Sequence, residues 1–312
     1  MTEAVHALSR EEAALLPSDD DVAFYREHGW FVTGKVFSDE EIDAFLEASR
    51  RYYDGERDRP LPVMPAKVAY WRPGEGNTAR NNDYIHFESA AFRGLLTKPL
   101  IGAIAARLAG ASEIRVFNTT LLYKPPEAEA DPGEGFGRTV VPWHFDRHYW
   151  QTCTSDEMLT AFIPLHDCDE TTGTITMVDG SHAWDEIDDG KDSTSRHFAK
   201  RDVSELEEML AENAAANGVG VTKVPMRLKK GHISFHHCRT YHGSGPNRSA
   251  APRRAISLHL QDGANAWRPH RLSDGSVLVY NNDELVRRDA AGDPDYADPD
   301  FCPVIWPADA GR

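Results

Sequence analysis

The sequence predicts a mainly β domain with flanking helices, an α+β arrangement closed as a jelly roll. Two observations lead there. Short runs of alternating apolar and polar residues, rich in β-branched and aromatic types, follow one another from Glu113 to Leu260. Segments with helical spacing lie mostly ahead of them, between Ser18 and Gly110. Strands in succession, backed by helices on the N-terminal side, fit two sheets packed face to face. With 312 residues, 40% of them apolar and 10% aromatic, the chain can fill such a core, and disorder is not the expectation.

Taken in order, residues 1–17 read as a flexible leader. Ser18 reads as an N-cap, and Asp19, Asp20 and Asp21 complement the positive end of a short helix. Gly29 stops that helix, and Trp30-Phe31-Val32 begins a strand. Ser38 and Glu41 form a capping box, behind which Ile42, Phe45, Leu46 and Ser49 keep helical spacing. From Arg57 to Thr78, prolines at 60, 62, 65 and 73 favour an irregular segment. A second helical region runs from Ser89 to Leu108, interrupted at Pro99 and closed by Gly110.

Strands are expected at Glu113 to Lys124, Met158 to Leu165, Thr174 to Val178, Val221 to Leu228, His232 to Cys238 and Arg253 to Leu260. Ala128 to Arg138, glycine-rich and acidic, reads as a flexible loop. Residues 183–220 look like an insertion, with Ser204 and Glu207 as a capping box, and are expected to border the mouth of a site. After Asp262 the pattern fades, with a short strand at Val277 to Tyr280 and a Pro/Asp-rich tail. The expected organisation is one domain over 18–262, with 18–110 as a helical buttress and 263–312 as a C-terminal extension.

The net charge of −16 argues against nucleic acid and against docking on anionic lipid, both of which need a basic face. It leaves room for a cationic substrate, although a soluble, self-repelling surface accounts for it more simply. Cys153, Cys168, Cys238 and Cys302 show no paired spacing, which points to reduced thiols and a cytoplasmic location. No secretory signal is visible, and the longest apolar patch, Leu100 to Ala106, falls far short of the roughly 20 residues of a membrane span.

The stretch Pro142-Trp143-His144-Phe145-Asp146-Arg147-His148-Tyr149-Trp150 carries the chemistry. On an extended strand His144 and Asp146 point to one face, supplying an imidazole and a carboxylate for a divalent metal. On spacing alone His148 shares that face and is a rival ligand or a polar pocket contact. A bare His-x-Asp arises often by chance. It gains weight from His242, in Tyr241-His242-Gly243-Ser244-Gly245-Pro246-Asn247-Arg248-Ser249, and from Arg253 eleven residues later. Two histidines and a carboxylate leave metal positions open for a co-substrate and O2, and a buried arginine suits the far carboxylate of such a co-substrate.

From roughly Val22 to Leu260 the chain resembles the phytanoyl-CoA dioxygenase (PhyH) family of Fe(II)/2-oxoglutarate oxygenases. The likeness lies in Phe24 to Val32, Phe37 to Ile42, Leu122-Tyr123-Lys124-Pro125-Pro126, the His144 to Asp146 pair, Gly173 to His182, Gly231 to His236 and the His242 to Arg253 block. It implies a cupin-like double-stranded β-helix in which His144, Asp146 and His242 hold iron and Arg253 grips 2-oxoglutarate. Ser244 would donate to the same carboxylate, and Thr120 matches another co-substrate contact. His148, Tyr149 and Phe145 are the expected substrate contacts, although Phe145 departs from the family, which commonly has Gln there, and Tyr149 would border the substrate cavity or simply pack. His232, His236 and His237 are expected at strand ends or the core edge. Halogenation is not expected, because related halogenases carry a small residue where Asp146 stands.

The activity implied is oxidation, most simply hydroxylation, of an unactivated C–H bond with O2 and release of succinate and CO2. The expected substrate is a small molecule of the natural-product kind, and the protein a monomer or homodimer. Two alternatives stay open on the residues alone: a metal-dependent non-oxidative enzyme, and a non-catalytic metal-binding protein on the same fold.

Overall fold

Serine caps set the starts of the N-terminal helices. In this computed structural model, which describes residues 8–131, 139–185 and 203–307, Ser9 caps α1 (Arg10–Ala13), inside the stretch read as a flexible leader. Leu15 and Leu16 just after it pack on the main core. Ser18 caps α2 (Asp19–His28) by accepting from the Asp21 amide. That helix ends at Gly29, where φ is 78° and β1 (Trp30–Lys35) follows at once. A Cβ at Gly29 would lie 2.4 Å from the His182 ring and 2.7 Å from the Thr240 hydroxyl, so only glycine fits. Ser38 and Glu41 form the expected box at the head of α3 (Asp39–Tyr53).

Two elements follow that the sequence does not signal. The run Arg-Asn-Asn-Asp makes β2 (Arg80–Asp83), although it is poor in strand formers, because pairing to a neighbour holds it. A single turn, α4 (Ile85–Glu88), comes next. Pro99 does not interrupt a helix. It opens one, standing in the first turn of α6 (Pro99–Ala109) after α5 (Ala90–Leu96).

The sheet-forming part comprises β3 (Ile114–Lys124), β4 (Val141–His144), β5 (Leu159–Pro164), β6 (Ile175–Val178), β7 (Lys223–Pro225), β8 (His232–His237), β9 (His242–Ser244) and β10 (Arg253–Asp262), with α7 (Val203–Ala216) between β6 and β7. The strand expected at 221–228 shortens to the three residues of β7. Helix α7 already begins at Val203, and Glu207 binds Trp143 and Lys223 instead of closing a cap; the Ser204 side chain lies outside the described residues, as do 132–138 of the expected loop. Tyr280 precedes α8 (Asn281–Leu285) and is not in a strand. The tail returns as β11 (Val304–Trp306), pairing with β3.

All pairings are antiparallel. The large sheet runs β1-β8-β5-β10-β3-β11, with β2 also on β3, and the small one runs β4-β9-β6-β7. Alternation along each strand sorts the large sheet into two faces. Ile256, Leu258 and Leu260 of β10 join Ile42, Phe45, Ile101 and Ile104 in the core under α3 and α6. The alternate residues Arg253, Ser257 and His259 look the other way, into a cavity facing the small sheet. No helix among the described residues is long and apolar enough to cross a membrane.

Candidate metal centre and the cavity around it

Register assembles the cavity floor. Across the large sheet, Asp83 of β2 stands opposite Thr120 of β3, Thr120 opposite Ser257 of β10, and Ser257 opposite Phe162 of β5. The next row along is Asn118, His259, Thr160 and His236. At the other end Arg253 pairs with Lys124. These rows and the small sheet enclose a cavity of about 280 Å³.

His144 ends β4, and its register partner across the small sheet is His242. Their ring centroids are 4.2 Å apart. Gly243, next to His242, is needed there, since a Cβ would sit 2.8 Å from the Val141 carbonyl. The strand does not carry on to Asp146. Phe145 leads into a 3-10 turn, Asp146–His148, so the expectation that 144, 146 and 148 share a strand face is corrected. Arg147 pins this turn: its amide donates to Cys238 (2.8 Å), its Nε to Asp156 (2.7 Å), and its Nη1 to the Trp150 carbonyl. The turn brings the Asp146 carboxylate back to the histidines and sends His148 against the rings of Phe145 and Tyr149.

Ligand atoms of His144, Asp146 and His242 lie within 4.8 Å of one another. The Nδ1–H groups of His144 and His242 donate to the Pro142 and Thr240 carbonyls at 2.8 and 2.9 Å. That fixes the tautomer and leaves each Nε2 lone pair for the centre. Burial, then the neighbouring His144 and His236, push His242 well below the ordinary imidazole range. Burial opposes charge on Asp146, yet the imidazoles around it, His242 foremost, hold it well below the usual carboxylate range. Its Oδ2 accepts from the Thr160 hydroxyl at 2.6 Å, and that hydroxyl lies 2.8 Å from His259 Nδ1. Burial lowers His259 to about 4. His236 Nε2 comes within 3.3 Å of the same oxygen without hydrogen-bonding geometry. Two imidazoles and one anchored carboxylate suit Fe(II).

Beside this trio lies an excess of buried positive charge. Arg253 is 3% exposed, and its Nε and Nη1 have no hydrogen-bond partner. Lys124, 2% exposed, donates to Ser244 Oγ and the Gly245 carbonyl, both at 2.7 Å. Burial, and then Arg253, push the Lys124 ammonium well down. Among the described residues no carboxylate pairs with either. Leaving two such groups buried and uncompensated costs several kcal/mol, which a bound carboxylate recovers. The site therefore fits a dicarboxylate that also reaches the trio.

Of the other residues singled out in the sequence, Ser244 faces this end and keeps its own hydroxyl proton to donate. Thr120 lines the cavity, but its hydroxyl is engaged with Asp83 at 2.6 Å. Tyr149 lines the cavity edge-on to His144. Phe145 packs instead with Val178, Trp184, Leu210 and Tyr241. Sequence reasoning missed Lys124, Asp83, Thr160, His259 and His236, the last of which stands in the cavity and not at the core edge. The signal for two of them was present: Lys124 shares a β3 face with Thr120, and His259 a β10 face with Arg253.

Comparison with known proteins agrees with this geometry. The sequence profile of the phytanoyl-CoA dioxygenase (PhyH) family matches residues 25–255. The ectoine dioxygenase of Bordetella bronchiseptica is 26% identical over 264 residues, 81% of this chain and 78% of that protein. Among solved structures, the epimerase SnoN in complex with Fe3+, alpha ketoglutarate and nogalamycin RO superposes with a TM-score of 0.64 at 25% identity, over 92% of this chain and 98% of SnoN. The alpha ketoglutarate dependent carbocyclase SnoK from nogalamycin biosynthesis gives 0.61 at 26% identity, over 84% of this chain and 93% of its own.

Proposed function

The chain belongs to the phytanoyl-CoA dioxygenase family of non-haem iron, 2-oxoglutarate-dependent dioxygenases, and from that premise we propose that it hydroxylates an unactivated C–H bond of a small natural-product substrate. His144, Asp146 and His242 hold the iron in this reading. Bound Fe(II) supplies the activation of O2, coupled to decarboxylation of 2-oxoglutarate to succinate and CO2 and to oxidation of the C–H bond. The protein's part is placement. Arg253, Lys124 and the Ser244 hydroxyl grip the distal carboxylate of 2-oxoglutarate, while Thr160 fixes which oxygen of Asp146 faces the metal. Phe162 and Trp150 line the walls and keep water out.

The observation that carries the reading is the uncompensated Arg253–Lys124 pair next to the three ligands. A zinc hydrolase on this fold would have no use for it. The relation to SnoN and SnoK, both from nogalamycin biosynthesis, supports a natural-product substrate. Anaerobic titration of 2-oxoglutarate into the Fe(II)-loaded protein should give the visible charge-transfer band of a chelated 2-oxo acid, and air should then release succinate. An Fe(II)-loaded protein that shows neither the band nor succinate sinks the proposal.

A further inference from the structure

The cavity has a second charged wall, to which the reading above assigns no role. Asp83 enters it from β2, at the edge of the large sheet, three strands from the Thr160 that anchors Asp146. Asp83 is 8% exposed; its Oδ1 accepts from the Thr120 hydroxyl (2.6 Å) and its Oδ2 from the Ala69 amide (3.1 Å). Neutral donors orient it, but no lysine or arginine pairs with it among the described residues. Lys67, which also lines the cavity, is exposed and makes no ion pair among the described residues. Burial raises Asp83 only to about 6, so near neutral pH it remains mostly ionised.

Aromatic rings complete the wall. Tyr280 lies parallel on the buried Phe117 (5.6 Å, 6°), with its hydroxyl accepting from Trp150 Nε1 at 3.2 Å. Trp150 is itself edge-on to Phe117 at 5.4 Å. Tyr280, Trp150 and Tyr149 all line the cavity with Asp83, as do Asn118 and Asn281. A fixed carboxylate flanked by rigid π faces is the environment that binds organic ammonium groups. The physics matches that of the Arg253 end with the sign reversed: a buried charge without a partner marks where an opposite charge arrives. The overall charge of −16 would also steer a cation inward.

We propose that Asp83, Tyr280 and Trp150 form the substrate subsite, and that the substrate is a small organic cation. Its protonated nitrogen sits on Asp83 and its carbon frame lies along the rings, which presents a C–H bond to the trio. This rests on the oxygenase reading above. The test uses amines paired with the alcohol or N-acetyl compound of the same skeleton, applied to the protein loaded with metal and 2-oxoglutarate. Thermal shift and succinate release above the substrate-free background are the two readouts. At least one amine should outperform its neutral partner by about tenfold or more. Asp83→Asn should abolish that preference, and Tyr280→Leu, away from the Thr120 and Ala69 contacts, should reduce it. The proposal is overturned if no amine outperforms its partner, if neutral polyols do as well, or if Asp83→Asn keeps the preference. A wild-type protein that neither binds 2-oxoglutarate nor forms succinate refutes the oxygenase reading separately, because the thermal-shift arm still reports whether cations bind at Asp83.

Discussion

The two charged ends of the cavity follow one rule and differ in how they are built. At one, Arg253 and Lys124 project from adjacent central strands, face the same space, and have no anion among the described residues. At the other, Asp83 projects from a four-residue edge strand and has no cation among the described residues. Each end holds charge away from water; neutral hydrogen bonds orient Lys124 and Asp83 without neutralising them, and Arg253 Nε and Nη1 have no hydrogen-bond partner among the described residues. A folded chain retains such groups where a ligand completes them. The central end sits on long, well-paired strands and suits an invariant co-substrate. The edge end rests on β2, which is held by its pairing to β3 and by a short bridge to Ala69–Trp71 on its other side.

Five substitutions separate the ends, beginning with the largest effect. Asp146→Ala removes what both ends converge on. Iron content and 2-oxoglutarate turnover should fall together, by about 10³-fold or more for turnover, the several kcal/mol a bound metal contributes. Chelation of the wild type should do the same, with activity restored by Fe(II) and not by Zn(II). Arg253→Met should raise the apparent KM for 2-oxoglutarate by about 10²-fold while iron binding is retained, and Lys124→Met by about tenfold. Equal effects of both on iron binding would mean that the cationic end is only structural.

Asp83→Asn tests the acidic end through stability. The folded-state value of about 6 lies above the roughly 4 of an unfolded aspartate, so as pH falls the folded chain takes up the proton first. The cost of burying the charge is therefore present above pH 6 and vanishes towards pH 4. Tyr84 and Tyr280, which also face Asp83, ionise far above this window. The substrate-free variant should be more stable than wild type by on the order of 2 kcal/mol at pH 7.5, with the difference closing by pH 4 in denaturant melts. A gap that widens on acidification contradicts the assignment. Smallest, Thr160→Val should weaken Fe(II) binding about tenfold by freeing Asp146 Oδ2, with 2-oxoglutarate affinity at a given iron occupancy unchanged.

Much of this architecture was legible in the residues. Ser18 and Ser38 mark helix starts because a side-chain oxygen capping its own third amide is a local interaction. The β10 alternation marked its two faces because strand geometry has a period of two. His144, Asp146, His242 and Arg253 came together as a group through family resemblance, and the structure brings the three candidate ligands within reach of one another. Phe145 and His148 ended elsewhere because the chain leaves the strand after His144, a turn imposed by Arg147 reaching Asp156 and the Trp150 carbonyl.

The sequence by itself determined what depends on neighbours along the chain: caps, strand alternation, the excess of acid, and the residue types able to hold iron. Only the tertiary structure decided that Lys124 stands beside Arg253, that Thr160 and His259 brace Asp146, and that the tail returns as β11. It alone placed Asp83 on a strand its own residues would not form. Those outcomes depend on cross-strand register and on which buried charges lack a partner, and both are set by segments tens to hundreds of residues apart.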